Sequence, residues 1–291
     1  MIALAIVRAG NNGPPMARKQ GKRKLMPSFK PVIALTRGLD ILRVVNDEGQ
    51  STVRSLHKAT GLDKATIVRM LETLEHAGYV MRDSAQAVYA PTGRTLVLSH
   101  GYDRHLRVGA IAEPVIGAFH GRVGWPSDVA ICDRDAMVVV QTTRRGHEPI
   151  FISRKPGFRV PVLTTSVGLS YLAFCGDQER DSIVSLLASL PDAWNELACQ
   201  PHKLQAMLGQ IQEAGYAVMD DDYSERVFGG LVWAMAVPVR HAGQIFASIN
   251  MMMLKNEVSR GDAERKFLGP LQETAAQLAE ALVRKGAGRG V

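Results

Sequence analysis

The chain has 291 residues, 46% of them hydrophobic and 22% charged, with a formal net charge of +7. Its apolar runs, MVVVQTT and FASINMMM among them, fall far short of the ~20 residues a membrane-spanning helix needs, and MIALAIV lacks the basic flank and cleavage site of a secretory leader. Three cysteines, Cys132, Cys175 and Cys199, are odd in number and widely spaced, which matches neither a disulfide framework nor a zinc site and points to a reducing cytoplasm.

Positive charge gathers at the start: residues 1–108 hold 17 Lys and Arg against 8 Asp and Glu, whereas the remainder holds 18 against 20. A basic N-terminal third beside a near-neutral remainder is the footprint of a nucleic-acid-binding module joined to a second domain. Residues 1–30 lack periodicity and read as a flexible basic arm. Leu35, Leu39, Leu42 and Val45 then step along one helix face, with Thr36 a candidate cap. Ser51 is a candidate N-cap for a short second helix whose Val53, Leu56 and Ala59 face inward. Asp63 can cap a third, within GLDKATIVRMLETLEHAGYV, with Ile67, Met70, Leu71 and Leu74 inward and Gly78 as a left-handed terminus. YVMRD, SAQA and VYAPTG read as strand, turn and strand. Three short helices and a hairpin over 31–93 make a winged helix-turn-helix.

The inward stripe of the third helix turns Lys64, Ala65, Thr66, Val68, Arg69 and Thr73 outward. Ala65 and Thr66 are small enough for close approach and can meet a thymine methyl. Arg69 can fork onto guanine O6 and N7, and Lys64 sits at the helix end that favours phosphate. A helix ~10–12 Å across fits a major groove ~12 Å wide. On the preceding helix Arg54, Ser55 and Lys58 can clamp phosphates, and Arg82 with the turn Ser84–Gln86 forms the wing. The plain alternative is an amphipathic helix showing its wet face to water. The tight turn, the hairpin and the basic bias favour a head that reads double-stranded DNA.

From Thr92 to about Arg122 the chain reads as helical, broken at Gly101 and Pro114, with Ile111, Val115, Ile116 and Phe119 as a buried stripe. Beyond it SDVAICD, AMVVVQTT, PIFIS, LVWAMAVPV and QIFASINMMM read as strands, and residues 164–175, 177–190 and 202–214 as helices. HAGQ reads as a hairpin turn, and the mixture argues α+β around an antiparallel sheet. Leu268, Leu271, Ala275, Leu278 and Leu282 mark an amphipathic tail helix, suited to packing on that sheet or to a coiled coil.

TRGLDILRVV, GLDKATIVRMLETLEHAGYV, PVLTTSVGLSYLAF and GLVWAMAVPV, in that order, resemble the IclR family of bacterial transcriptional regulators over residues 31–285. WPSDVA, AMVVVQTT, the Arg154 and Arg159 pair and VGLSYLAF are similar, more narrowly, to the branch that activates 3-(3-hydroxyphenyl)propionate catabolism. The resemblance implies a winged helix-turn-helix joined by a helical linker over 94–122 to a GAF-like effector-binding domain over 123–286. It implies homodimers or homotetramers on operator DNA, contact with RNA polymerase if the protein activates, and no cofactor or catalysis.

The family's effector pocket maps onto Thr165, Ser166, Gly168 and Leu169, then Leu231 and Trp233, then Asn250 and Met252. Small-acid-binding members carry short polar residues at the positions of Asn250 and Met252 and a smaller residue at Trp233. The amide, thioether and indole found here favour a flatter, more apolar ligand, an aromatic carboxylic acid. A bidentate guanidinium suits its carboxylate, and Arg154 and Arg159, flanking KPGF, are the candidates. Tyr171 and Trp125 read either as pocket walls or as core, and Asp128 as a structural hydrogen-bond partner. His57, His76 and His120 read as surface residues. The alternatives are a repressor answering to a small aliphatic acid and, more remotely, an enzyme using Ser170 or Cys175. The chain has no G-x-S-x-G, H-E-x-x-H, Walker loop or G-x-G-x-x-G to support the latter.

Overall fold

The structure is a computed structural model that describes residues 30–83, 85–99, 103–144 and 155–287. The basic arm up to residue 29, wing residue Ser84, Gly101, the PIFIS strand and Arg154 lie outside the described residues. The chain divides into two compact units, Met1–Asp103 and Arg104–Val291.

The first unit holds α1 (Ile33–Glu48), α2 (Val53–Thr60) and α3 (Lys64–His76), then β1 (Val80–Asp83) and β2 (Val88–Pro91) paired antiparallel. Ile41 and Val45 of α1 meet Leu56, Ile67, Leu71, Val80 and Tyr89 in one small core. The stripe of α1 is not the one its spacing suggests: Leu42 and Val45 are buried, but Leu35 and Leu39 are 63% and 55% exposed. Helices α2 and α3 and strand β2 cover only the C-terminal half of α1. Thr36 lies inside α1, whose N-cap is Val32 with no side-chain cap bond.

The cap of α2 is Thr52, not Ser51. Thr52 and Ser55 form a reciprocal capping box, while Ser51 is buried and exchanges two backbone bonds of 2.8 Å with Tyr89. Ala59 is exposed, so Leu56 alone of the expected α2 stripe is fully inside. In α3 the Asp63 carboxylate accepts both the Thr66 N–H at 2.9 Å and the Thr66 hydroxyl at 2.7 Å. Gly78 follows α3 at φ +77°, and the Tyr79 N–H donates to the Leu74 carbonyl at 2.9 Å, which satisfies a terminal carbonyl.

Over residues 93–122 the described chain is helical, as expected, but the break expected at Pro114 is absent. A 3-10 segment, Gly93–Ser99, precedes α4 (Asp103–Val123), which runs through Pro114 without a break. Proline removes one helical hydrogen bond, but the face bearing Ile111, Ile116 and Phe119 is anchored in the core of the second unit. Most of the expected linker is therefore part of that unit.

The second unit contains β3 (Asp128–Asp133), β4 (Ala136–Thr142), β5 (Arg159–Pro161), α5 (Ser166–Phe174), α6 (Asp177–Ser189), α7 (Pro201–Ala214), β6 (Ala217–Val218), α8 (Asp221–Phe228), β7 (Val232–His241), β8 (Gln244–Leu254), α9 (Arg260–Ala263) and α10 (Gly269–Arg284). Its six strands form one antiparallel sheet in the order β5-β4-β3-β8-β7-β6. Alternate side chains of a strand point to opposite faces. Val129, Ile131, Val138, Val140, Met235 and Val237 join α4 and α10 on one face. Ala130, Met137 and Ala236 join α5, α6 and α7 on the other. Leu271, Ala275, Leu278 and Leu282 of α10 are buried against the sheet, as the packing reading of the tail helix requires. The β7–β8 hairpin turns on Ala242 and Gly243, both at positive φ, +48° and +80°, the signature of a type I′ turn.

Two glycines allow close backbone approaches. A Cβ on Gly168 of α5 would lie 2.1 Å from the Val162 carbonyl oxygen, and one on Gly109 of α4 would lie 2.5 Å from that of Val140. Each is backbone, which has nowhere to retreat. Gly168→Ala and Gly109→Ala should each cost on the order of 1–3 kcal/mol through overpacking, read as a lowered urea midpoint. Gly117→Ala, with nothing within 4 Å of its Cβ, should be neutral or stabilising by about 0.5–1 kcal/mol.

The Thr66 hydroxyl, then the Thr66 amide, hold the Asp63 carboxyl below its ordinary value of 3.8. Its contribution is therefore full above the unfolded carboxyl pKa and lost as pH falls through the lower folded value. Asp63→Asn, still a capping residue, should flatten that acid-side fall in thermal midpoint. An unchanged pH profile would show that the cap's charge is without effect.

Candidate functional site

The outer face of α3 presents Lys64, Ala65, Arg69 and Thr73 to solvent, with Thr66 and Val68 half-buried. Arg54 and Lys58 on α2 are also exposed. Among the described residues none of Lys64, Arg69, Arg54 and Lys58 makes an ion pair. These cations are held in place by the helices and left unneutralised, as a phosphate-binding face requires.

The hydroxyls of the same face are differently disposed. That of Thr66 donates to Asp63 at 2.7 Å and that of Thr73 to the Arg69 carbonyl at 2.7 Å, so each keeps its methyl and its acceptor lone pairs for a ligand. The Ser55 hydroxyl accepts the Thr52 N–H at 3.0 Å and lies 3.1 Å from both Glu48 Oε2 and the Thr52 carbonyl. Ser55 is thus a capping residue rather than the phosphate clamp its position suggested. In the wing, the Arg82 guanidinium lies 5.8 Å from the Tyr89 ring centroid, and the Ala85 and Gln86 amides donate to Asp83 at 2.9 and 3.3 Å.

In the second unit the mapped effector residues separate by face. Thr165 caps α5, accepting the Gly168 N–H at 3.2 Å and donating to the Pro161 carbonyl at 2.6 Å. Ser166 and Leu169 are buried, and Leu169 lines a cleft of about 680 Å³ with Thr164, Trp194 and Met219. Gly168 is a packing residue pressed on Val162. Leu231 is 63% exposed. Trp233 alternates with Met235 and Val237 onto the α4 and α10 side, where its Nε1–H donates to the Val258 carbonyl at 3.1 Å.

Asn250 and Met252 pair with Ala236 and Ala234 across β7 and β8; Ala236 packs in the α5 core, while Ala234 and Met252 join the core that also holds Trp233 and Met219. Beside them is a buried polar network that the sequence did not reveal. Arg144, two residues past β4, forms an ion pair with Asp128, their side chains 3% and 1% exposed. Its guanidinium also rests on the Met252 sulfur. The other Asp128 oxygen accepts the Thr142 hydroxyl at 2.7 Å, and the Asp128 N–H donates to Asn250 Oδ1 at 2.7 Å. Asp128 is the structural hydrogen-bond partner expected of it. Arg144 hides in TTRRGHE, which looks like a solvated basic loop.

The N-terminus of α5 is tied to the same end of the sheet. The Met219 N–H donates to the carbonyl of Ala234, the cross-strand partner of Met252, and the next residue's N–H, from Asp220, donates to the Thr164 carbonyl, both at 2.9 Å. Four hydroxyls, those of Ser127, Thr164, Ser170 and Ser248, are buried with no hydrogen-bond partner among the described residues.

Arg159 sits at the opposite end of β4, opposite Val138. Its guanidinium is shared by Asp133 and Asp135, and its side chain is 43% exposed. Two carboxylates already satisfy it, so it is a surface clamp on the β3–β4 turn and not a carboxylate anchor. Tyr171 donates to Glu179 at 2.7 Å and lines a separate cavity of about 720 Å³ with Cys132 and His105. Trp125 packs on the α4 and α10 core. His120 is half-buried, with Nδ1 3.0 Å from the Trp125 carbonyl. Ser170 is fully buried in α5, and burial pushes the Cys175 thiol up to about 11. Neither is an activated nucleophile. No described helix is long and apolar enough to cross a membrane.

The IclR helix-turn-helix domain family matches residues 34–84, and the family described as bacterial transcriptional regulator IclR, C-terminal, matches residues 100–280. The Pca regulon regulatory protein of Pseudomonas putida is 24% identical over 273 residues, 92% of this chain and 91% of that protein. A regulator structure from Rhodococcus sp. RHA1 is 26% identical, covering 88% of this chain and 100% of that one, with a TM-score of 0.61. An IclR homolog from Microbacterium hydrocarbonoxydans, solved with 4-hydroxybenzoate, is 19% identical, covering 86% and 99%, with a TM-score of 0.60. With both its domains matched in order, the chain belongs to the IclR family of DNA-binding bacterial transcriptional regulators, a family of regulators and not of enzymes.

Proposed function

We propose that this regulator controls an operon for the breakdown of aromatic, phenylpropionate-like acids, and that it acts as an activator answering to such an acid. The observation that carries the reading is the buried guanidinium of Arg144 resting on the Met252 sulfur, with Ala234 the cross-strand partner of Met252. A flat ring with one carboxylate matches that chemistry, whereas a two- or three-carbon acid leaves the thioether and the alanine without a partner. The names of two similar proteins, one a Pca regulon regulator and one bound to 4-hydroxybenzoate, support the same class. Calorimetry with 3-phenylpropionate, 4-hydroxybenzoate, pyruvate and glyoxylate tests it. Binding of the aliphatic acids alone would favour the small-acid repressor instead.

In this reading two copies place their α3 helices in successive major grooves, ~34 Å apart, on a pseudo-palindromic operator in the cytoplasm. Arg69, Ala65 and Thr66 face the bases, and Lys64, Arg54, Lys58 and Arg82 the backbone. As an activator it then meets RNA polymerase. Val32, Leu35 and Leu39 form an exposed apolar face on α1 that a second copy would cover, giving a homodimer or, through further contacts, a homotetramer.

Arg69→Ala should weaken operator binding by about 1–3 kcal/mol if it reads a base. An equal loss on scrambled duplex, with a shallower salt dependence, would make it a phosphate contact instead. Leu35→Glu combined with Leu39→Glu should shift the protein toward monomer in sedimentation and reduce operator affinity while helicity is kept. An unchanged sedimentation coefficient would remove α1 from the interface.

A further inference from the structure

Resting on the acid-sensing reading above, we propose that Arg144 is the carboxylate anchor of the effector site and that Asp128 occupies it until the effector arrives. Effector carboxylate and Asp128 then compete for one guanidinium.

Burying an ion pair is costly, and apolar residues of the same size would hold a fold as well or better. A pair with side chains 3% and 1% exposed therefore asks for a role beyond packing. Its position supplies one. Arg144 touches Met252, a buried residue of the core that also holds Met219 and Trp233, and is linked through Asp128 to Asn250. The Thr164 end of α5 is bonded to the same end of the sheet through Asp220 and Met219. Close by in the chain, the Ser127 hydroxyl is 0% exposed and has no hydrogen-bond partner among the described residues. Such a group costs free energy unless something meets it.

The exchange is chemically balanced. The two competitors are carboxylates of equal charge, the guanidinium stays ionised throughout, and no proton need move. Asp128 keeps the Thr142 hydroxyl at 2.7 Å as a fixed donor when Arg144 leaves it. The apolar remainder of an aromatic acid then lies along Met252 and Ala234, while its charged end takes the place of Asp128.

The test compares affinities for 3-phenylpropionate and 4-hydroxybenzoate with those for their uncharged amides, by calorimetry on the full chain. Wild type should prefer acid to amide. Arg144→Gln should weaken acid binding by about 10- to 100-fold while leaving amide binding nearly intact, and Arg144→Lys should restore part of the preference. Asp128→Asn, which removes the competitor, should tighten acid binding several-fold. Amide binding reports that each variant is folded. Should Arg144→Gln not fold, the Asp128→Asn arm decides alone, and unchanged or weaker acid binding there overturns the proposal. An Arg144→Gln protein that still prefers acid overturns the anchor but leaves the aromatic-acid reading standing. A wild type that binds neither ring acid sinks both.

Discussion

A strand sends successive side chains to opposite sides, and in a sheet covered on both sides that alternation decides what each residue can do. The six-stranded sheet of the second unit follows this apart from irregularities at Val129/Ala130 and Val239/Arg240. One face belongs to α4 and α10, the other to α5, α6 and α7. Trp233 and Met252 are neighbours in the β7–β8 hairpin, one register step apart, yet the indole donates to the Val258 carbonyl while the thioether meets the Arg144 guanidinium. Position along a strand matters as much. Arg159 and Arg144 flank the two ends of β4, and the first is neutralised on the surface by two aspartates while the second is buried beside one.

The reading head rests on a different economy. Its short helices are closed by side chains, Thr52 and Ser55 on α2 and Asp63 on α3. The hydroxyls of Ser55, Thr66 and Thr73 are tied into the caps and helix backbone. The long cations are not. The face is rigid where it is short and charged where it is long, which separates the groups that fix the helix from those that reach the duplex.

Much of this was legible in the sequence, for identifiable reasons. The α3 stripe, the Asp63 cap, the hairpin at HAGQ and the α10 stripe are local patterns whose period or turn chemistry names the structure. Where burial depends on a partner distant in sequence, pattern alone misleads. Leu35 and Leu39 have the right spacing, but nothing in their unit reaches them. Trp233 sits in the buried stretch Val232–Val237 of its strand, whose residues are apolar on both faces and so do not announce which face is which. Arg144 is buried by Asp128, 16 residues away, and by Met252, 108 residues away, and neither partner could be inferred from its neighbours. Strands β5 and β6, three and two residues long, are too short to carry any period.

Behind β4, on the side away from Asn250, the backbone of Val140 meets α4 at Gly109 with no room for even a methyl group. Val140 stands two residues before Thr142 and four before Arg144, so the strand that carries the polar network on its front is bare metal on metal at its back. Close-packed interiors yield little under load. A fraction of an ångström of travel in β4 must therefore either open that joint or push the helix, and α4 begins at Asp103, where the chain parts into its two units. The missing side chain at Gly109 seats the helix directly on the backbone of the strand.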